Sequence, residues 1–420
     1  MGELFDRVLY AVRVAWLRRN YRHALARIRG RKEARIKVAF LVSDLAKWKG
    51  ASVFRALRET PPFDPFVAVM NMTRQAELSV GEQRRLLDEK MRFFAARGIP
   101  AVQVQRVGRK DTLTIGEIGA DIVFYQQPWD LPPQLKPLPV SRRALTFYFP
   151  YYTPNYSDTA IEIDHKLHHQ VFRHIVCDEA TAVFYREARK RMSGAYAGDY
   201  LPLGHPALDE IAFEEDPPSA DGCVIYAPHW SVDFGDHHPP LRYSTFVETG
   251  RAILAYAQAH PEIRWAFKPH PLLKVTLVKS GFMTAAEADD YYAAWESLGE
   301  ACYDGDYLGL FARSRAMITD CGSFLTEYGC TGKPVIRLVC PRLNAGVQPG
   351  VRDLYSTYCN VTTAAEAEAA FDAVLVRGED PRRADRLTCL QAANLVGGGC
   401  AQRIADYLTS LCAADVRSAP

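Results

Sequence analysis

Three short polar turns in the second half of the chain carry the residues best suited to chemistry: Tyr226-Ala-Pro-His-Trp-Ser231, Phe267-Lys-Pro-His-Pro271 and Thr319-Asp-Cys-Gly-Ser323. In the first two, an apolar run ends and a proline directs a histidine, His229 or His270, away from it. An imidazole so placed can donate to a phosphate oxygen and support charge building on a leaving group. In the third, Ala316–Ile318 reads as a buried strand, Thr319–Ser323 as a tight turn, and Ser323 as the opening of an amphipathic helix. A helix start presents free N–H groups and the positive end of its dipole, which holds a phosphate without a cationic side chain. Glu327, about one turn into that helix, is spaced to reach the ribose of a nucleotide whose diphosphate sits at the tip. Each turn alone also fits a plain structural role, as a capped helix or a hydrogen-bonded loop histidine.

The elements that must position these turns form two alternating series of strand and helix. In the first half, apolar runs at 37–42, 66–70, 101–104, 121–125, 144–149 and 174–177 alternate with helical stretches, and 201–205 closes the series. Continuous apolar strands separated by helices indicate a parallel sheet covered on both faces. The acidic, proline-rich stretch Phe213-Glu-Glu-Asp-Pro-Pro-Ser-Ala-Asp-Gly222 breaks the pattern and reads as a linker. A second series follows, with strands at 223–227, 263–268, 316–318 and 334–339. The expected fold is α/β and GT-B-like: two Rossmann-like domains facing a cleft, preceded by an amphipathic helix. The expected bounds are 1–36 for the helix, 37–212 for an acceptor domain and 213–420 for a nucleotide-donor domain. Open sheets of this kind place ligands beyond the carboxyl ends of their strands, which is where all three polar turns fall.

Length and composition agree with a folded two-domain protein. The chain has 420 residues, 48% of them hydrophobic and 24% charged, which excludes a disordered chain. A net charge of +2 implies no bulk affinity for nucleic acid. The ten cysteines stand singly, without a C-x-x-C pair, as in a reducing cytosol. No apolar run approaches the length of a membrane span, and no signal-peptide cleavage pattern follows the apolar part of the N-terminus.

Charge is concentrated at that N-terminus. Residues 1–36 hold ten Arg or Lys against three acidic residues. Leu4, Phe5, Val8, Leu9, Val12, Ala15 and Trp16 recur there at helical spacing. Such a helix can lie in the headgroup layer, its arginines drawn to anionic lipid by roughly 1 kcal/mol each. The alternative is a helix packed on the protein's own surface or against a partner subunit.

As an ordered set, several segments resemble the CDP-glycerol glycerophosphotransferase family, the teichoic-acid and capsule polymerases with a GT-B fold. The segments are Ala120-Asp-Ile-Val-Phe-Tyr-Gln-Gln-Pro-Trp129, Gly204-His-Pro-Ala-Leu-Asp209, Tyr226-Ala-Pro-His-Trp230, Ser244-Thr-Phe246, Lys268-Pro-His-Pro271, Ile318-Thr-Asp-Cys-Gly-Ser-Phe-Leu-Thr-Glu-Tyr328 and Gly332-Lys-Pro-Val335. The resemblance implies transfer of an alditol-phosphate group from a CDP-linked donor to a hydroxyl of a membrane-associated polymer or lipid-linked acceptor. It implies His229 and His270 as catalytic groups, with Asp320, Ser323 and Glu327 around the donor's diphosphate and ribose. Trp230, Lys268, Thr319, Gly322 and Phe324 belong to the same matched motifs and are carried with them as donor-binding. No acidic metal pair lies among these motifs, so donor binding without a metal or other cofactor is expected. The implied place of work is the inner face of the cytoplasmic membrane.

One departure stands out. Members of that family carry a Trp-His-Gly-Thr segment in the first domain, whose histidine looks like the acceptor's general base. The comparable segment here is Phe147-Tyr-Phe-Pro-Tyr-Tyr-Thr-Pro-Asn155, without histidine. Tyr151 and Tyr152 can orient a hydroxyl, and Tyr151 is the candidate catalytic group here, but a phenol with a pKa of about 10 is a poor base near neutrality. His165, His168 and His169 follow on a helical stretch; they read as solvated surface, as a replacement base, or as an i,i+4 zinc pair lacking a third ligand. Two further readings stay open. One is a GT-B glycosyltransferase using a nucleotide sugar in capsule or lipopolysaccharide synthesis. The other is a non-catalytic nucleotide-binding subunit.

Overall fold

The computed structural model describes residues 2–413 except 32–34, 110, 154, 157–164, 192–195, 233–242, 304–306, 342, 344–345, 394 and 396–397. The chain divides into two units: unit 1 comprises 1–152, 158–209 and 398–420, and unit 2 comprises 153–157 and 210–397.

Unit 1 is built on a seven-stranded parallel sheet ordered β3-β2-β1-β4-β5-β6-β7. Its strands are β1 (Ile36–Val42), β2 (Phe63–Val69), β3 (Ala101–Gln103), β4 (Ile122–Tyr125), β5 (Leu145–Tyr148), β6 (Arg173–Val176) and β7 (Asp199–Pro202). The central strands are apolar on both faces because helices cover both. Phe40, Phe124 and Phe147 face one layer with Val53, Leu57, Leu87 and Phe94, while Ala39, Val123 and Tyr125 face another with Ile115, Leu135 and Val140. Chain order reverses direction between β1 and β4, so the switch point of this sheet lies there.

The N-terminal helix α1 (Gly2–Arg29) packs on this same unit. Its inward stripe is Val14, Leu17, Tyr21, Ala24 and Ile28, all buried, and the Tyr21 hydroxyl donates to the Gln170 carbonyl at 2.6 Å. Full burial of a large apolar side chain contributes about 1.5–3 kcal/mol, so this docking is a substantial part of the unit's stability. The expected stripe points the other way: Leu9, Val12 and Trp16 remain exposed. Both stripes follow the helical period, and only the sheet decides which one is core.

Unit 2 is a six-stranded parallel sheet ordered β10-β9-β8-β11-β12-β13. Its strands are β8 (Cys223–Ala227), β9 (Trp265–Phe267), β10 (Gly299–Ala301), β11 (Ser314–Thr319), β12 (Val335–Leu338) and β13 (Cys359–Val361). The edge strands β10 and β13 were not expected; each is three residues long and partly exposed, so neither carries an apolar run. A core of Tyr226, Phe267, Trp295, Ile318 and Ile336 fills one face. The switch point lies between β8 and β11.

The expected domain bounds differ from these units at the C-terminus. The helix Cys400–Ala413 belongs to unit 1, where Cys400, Ala401, Ile404, Ala405 and Leu408 join the core. Its apolar stripe at helical spacing needs a sheet face, and its first turn is capped across the chain. Asp209 accepts from the N–H groups of Cys400 and Ala401 at 2.9 and 2.8 Å.

Candidate functional site

In unit 2 the three polar turns meet at the carboxyl edge of the sheet, around its switch point. Thr319 pairs with Ala227 in the β8–β11 ladder, so His229 and Gly322 start from neighbouring strand ends. Pro228 and Pro269 lack an N–H and cannot continue the ladder as donors. The intervening amides still do: Lys268 N–H donates to Tyr226 O at 2.8 Å and His270 N–H to Pro228 O at 3.0 Å. That register brings the His229 and His270 rings to a centroid separation of 5.3 Å, with Trp230 at 5.8 Å from each.

Both imidazoles have their tautomer set by the amide two residues on. Ser231 meets His229 Nδ1 with its N–H at 3.2 Å and its hydroxyl at 2.7 Å, and Leu272 N–H donates to His270 Nδ1 at 3.1 Å. A nitrogen that accepts an amide proton cannot carry its own, so the ring proton lies on Nε2 in each. Burial pushes the His270 pKa down to about 4, with the Lys268 cation adding to it. Burial also holds His229 well below the usual range, with His270 adding to it. At neutral pH the turns therefore present two uncharged Nε2–H donors, able to bind phosphate oxygens without the cost of a buried charge.

Asp320 is the brace of the site. It is buried, and its carboxylate accepts from His229 N–H and Thr245 N–H, each at 2.6 Å, and from the Thr245 hydroxyl at 3.2 Å. Burial outweighs those hydrogen bonds and lifts its pKa to about 6. Thr319 is a second brace, its hydroxyl donating to Ala227 O at 2.6 Å and accepting from Cys321 N–H at 2.9 Å. Two residues of the matched motif thus hold the β8 and β11 turns to each other and to the helix Phe246–Ala259.

The helix Gly322–Gly329 opens at Cys321 with no side-chain cap hydrogen bond. Burial pushes the pKa of the Cys321 thiol up to about 12, so it stays protonated. Asn155 lies over the helix start. A Cβ on Gly322 would come within 2.7 Å of its amide nitrogen, so glycine lets Asn155 keep this position. Thr153 completes the contact, its hydroxyl donating to Ser323 O at 3.0 Å. Sequence reasoning missed Asn155 because its position comes from a segment about 170 residues distant. The Gly-Ser at the helix start was the available signal that something approaches closely.

The other candidates are placed as follows. Glu327 is buried and accepts from the Tyr307 hydroxyl at 2.5 Å. Phe324 packs on Tyr307 and Phe311, at centroid separations of 5.2 and 5.4 Å. Lys268 is buried, with Nζ 3.4 Å from Tyr303 O. Tyr151 lies in unit 1, where burial and then the Asp44 charge raise its pKa to about 12, which removes it as a base. Of the histidine trio, His168 is buried with Nδ1 3.3 Å from His174 Nε2, so it is not solvated surface. His165 Nδ1 accepts from Leu167 N–H at 3.3 Å, and His169 Nδ1 bonds the Tyr10 hydroxyl. Among the described residues no group of three or more His, Cys, Asp or Glu is arranged to hold a metal ion. The segment 233–242, with Asp233, Asp236, His237 and His238, lies outside the described residues.

No protein-family model and no curated protein sequence matches the chain. Solved structures do. The UDP-GlcNAc 2-epimerase of Neisseria meningitidis, bound to UDP-GlcNAc, aligns over 90% of this chain and 100% of its own at 12% identity, with a TM-score of 0.55. A variant of the wall teichoic acid polymerase TagF aligns over 98% of both chains at 12% identity, with a TM-score of 0.55. The UDP-GlcNAc 2-epimerase of Methanocaldococcus jannaschii aligns over 89% of this chain and 99% of its own at 13% identity, with a TM-score of 0.53. The fold is GT-B-like. At these identities the likeness extends to the fold and no further. Within that GT-B-like fold, the paired imidazoles, the braces and the helix start occupy the switch point of the second unit's sheet.

Proposed function

We propose that the protein is a transferase that moves an alditol-phosphate group from a CDP-linked donor to a hydroxyl of a membrane-associated surface-polymer acceptor. The observation that carries this is the pair of neutral imidazoles beside a helix start that has no side-chain cap hydrogen bond. Such a set binds a diphosphate by fixed dipoles and stabilises the charge that develops on the departing nucleotide, the largest single contribution in many enzymes. His270 and His229 donate to the phosphoryl oxygens, Asp320 and Thr319 hold the turns, and the Gly322–Ser323 amides complete the anion pocket. The likeness to TagF and the ordered motifs support a phosphoryl donor.

A second reading, a glycosyltransferase using a nucleotide sugar, draws support from the fold neighbour whose structure holds UDP-GlcNAc. The two differ in what leaves. With CDP-glycerol and a membrane extract as acceptor, phosphotransfer releases CMP; glycosyl transfer from a UDP-sugar releases UDP. Release of neither nucleotide by a protein that still binds CDP would favour a non-catalytic subunit.

The acceptor would be met at a membrane surface. No described helix is long and apolar enough to cross one. The exposed Leu9, Val12 and Trp16 of α1, interleaved with Arg13, Arg19 and Arg22, form an apolar stripe with a basic border suited to anionic headgroups. Flotation with anionic vesicles at low salt, lost at high salt and in a Leu9→Glu/Trp16→Glu variant, is the expected result.

A further inference from the structure

One face of unit 1 gathers cations from two distant segments of the chain. The sequence between Asp6 and Glu33, which makes up most of α1, is rich in arginine and holds no acidic residue. Residues 131–150 likewise hold no Asp or Glu, and Arg142 and Arg143 stand there just after the short helix Pro137–Ser141. Both segments belong to unit 1 and are fastened to each other. Asn20 Nδ2 donates to Ser141 Oγ at 2.9 Å, the Arg27 guanidinium donates to the Arg143 carbonyl, and the Arg142 guanidinium lies over the Trp16 ring at 5.3 Å.

Among the described residues no carboxylate pairs with Arg13, Arg19, Arg22, Arg27, Arg142 or Arg143. Asp121 is already paired with Arg31 at 2.9 Å. Burial lowers the Arg27 pKa; Asp121 opposes that, and the Arg31 and Arg143 charges add to it. A surface of one sign draws anions toward it. Beside these cations Leu9, Val12 and Trp16 are 46, 62 and 46% exposed. A soluble polyanion gives such apolar groups nothing to bury against, whereas an anionic bilayer offers headgroup charge and acyl chains together, with tryptophan favoured at their boundary. The helix cannot leave the unit to make this contact, because Leu17, Tyr21, Ala24 and Ile28 are part of the core. It meets a membrane with its outward side only, and Arg142 and Arg143 flank that side.

We propose that α1 and the Arg142–Arg143 pair form one composite surface for anionic phospholipid, with the pair binding headgroup phosphates beside Trp16. The proposal rests on the membrane reading above and adds a second element to it, so that α1 alone is not the whole anchor. Arginine suits the role, since its planar fork pairs with phosphate oxygens and stacks on an aromatic ring at once. Deleting α1 cannot test this, because the deletion would also uncover the core that Leu17 and Tyr21 complete. The informative change lies outside the helix.

The full chain is mixed at low salt with vesicles of phosphatidylcholine, with or without phosphatidylglycerol. Wild type should partition onto the anionic vesicles and not onto the neutral ones. Arg142→Gln/Arg143→Gln leaves α1 unchanged and keeps the Arg143 carbonyl for Arg27. It should partition about 25-fold more weakly, about fivefold for each basic residue near a charged surface, and the gap should close at high salt. Its melting temperature should match wild type. Wild-type partitioning by that variant overturns the proposal and leaves α1 acting alone; loss of inorganic polyphosphate binding alongside it would assign the two arginines to a soluble polyanion. Equal partitioning of wild type onto both kinds of vesicle makes the contact purely apolar and overturns the proposal too. A wild-type chain that stays off anionic vesicles overturns the membrane reading on which it rests.

Discussion

At the switch point of unit 2, two uncharged imidazoles stand beside a helix start while the carboxylate of Asp320 is buried and occupied by backbone amides. At the switch point of unit 1, the carboxylate of Asp44 is partly exposed beside Lys47, and among the described residues the buried Gln127 Oε1 has no hydrogen-bond partner. The same topology thus yields one edge that supplies hydrogen-bond donors and another that supplies acceptors. A strand end fixes where chemistry happens, and the two or three residues after it fix the sign of that chemistry. Donors suit a diphosphate.

The comparison breaks most visibly at His270. Removing its Nε2–H donor in His270→Ala should lower turnover by roughly 10²–10³, the size of one lost transition-state donor. Steady-state rates at saturating donor check this. A rate within threefold of wild type would return His270 to a loop-bracing role.

The buried neutral histidines also make a stability prediction whose sign is fixed. His205 has its pKa lowered to about 4 by burial, its Nδ1 accepting from Ala207 N–H at 3.2 Å and its Nε2–H donating to Pro150 O at 2.9 Å. The unfolded chain binds that proton near pH 6.5 and the folded chain only near pH 4. Stability from His205 is therefore complete above about pH 7 and falls as pH drops through this window, by about 3 kcal/mol. His229 and His270 act in the same direction. Asp320, raised to about 6, acts in the opposite direction, since its folded form holds a proton that the unfolded form releases at lower pH. Urea midpoints between pH 4 and pH 7 should decline toward acid, less steeply in His205→Gln.

Much of this arrangement was legible in the chain. Apolar runs separated by helical stretches gave most strands of both sheets, and the polar turns after β8, β9 and β11 were recognisable because proline or glycine follows an apolar run. The tautomers were not legible, since they depend on the Ser231 and Leu272 amides folding back onto their own imidazoles. Asp320 read as a phosphate neighbour because composition does not reveal that His229 and Thr245 amides would occupy it. The unit 1 switch point was hidden for a further reason: Ser43 and Gln127 are 84 residues apart and meet only once β1 pairs with β4. For α1, periodicity revealed two stripes, and packing chose between them.

Asp320→Asn should sharpen the bracing role. The amide can accept from one backbone N–H but must present its own N–H to the other, costing about 1–3 kcal/mol of stability. Chemical denaturation should show that loss, with donor affinity falling alongside it. Tyr151→Phe is the smallest effect expected: a phenol held at about 12 transfers no proton at neutral pH, so turnover should stay within about threefold.

Calorimetry of CDP binding in excess EDTA tests the central claim most directly, comparing wild type with His229→Ala, His270→Ala and Asp44→Asn. Binding by the imidazoles and helix start of unit 2 predicts that wild type and Asp44→Asn bind equally well without divalent cations, and that both histidine variants bind more weakly. A strict cation requirement, or full affinity in both histidine variants, would contradict it.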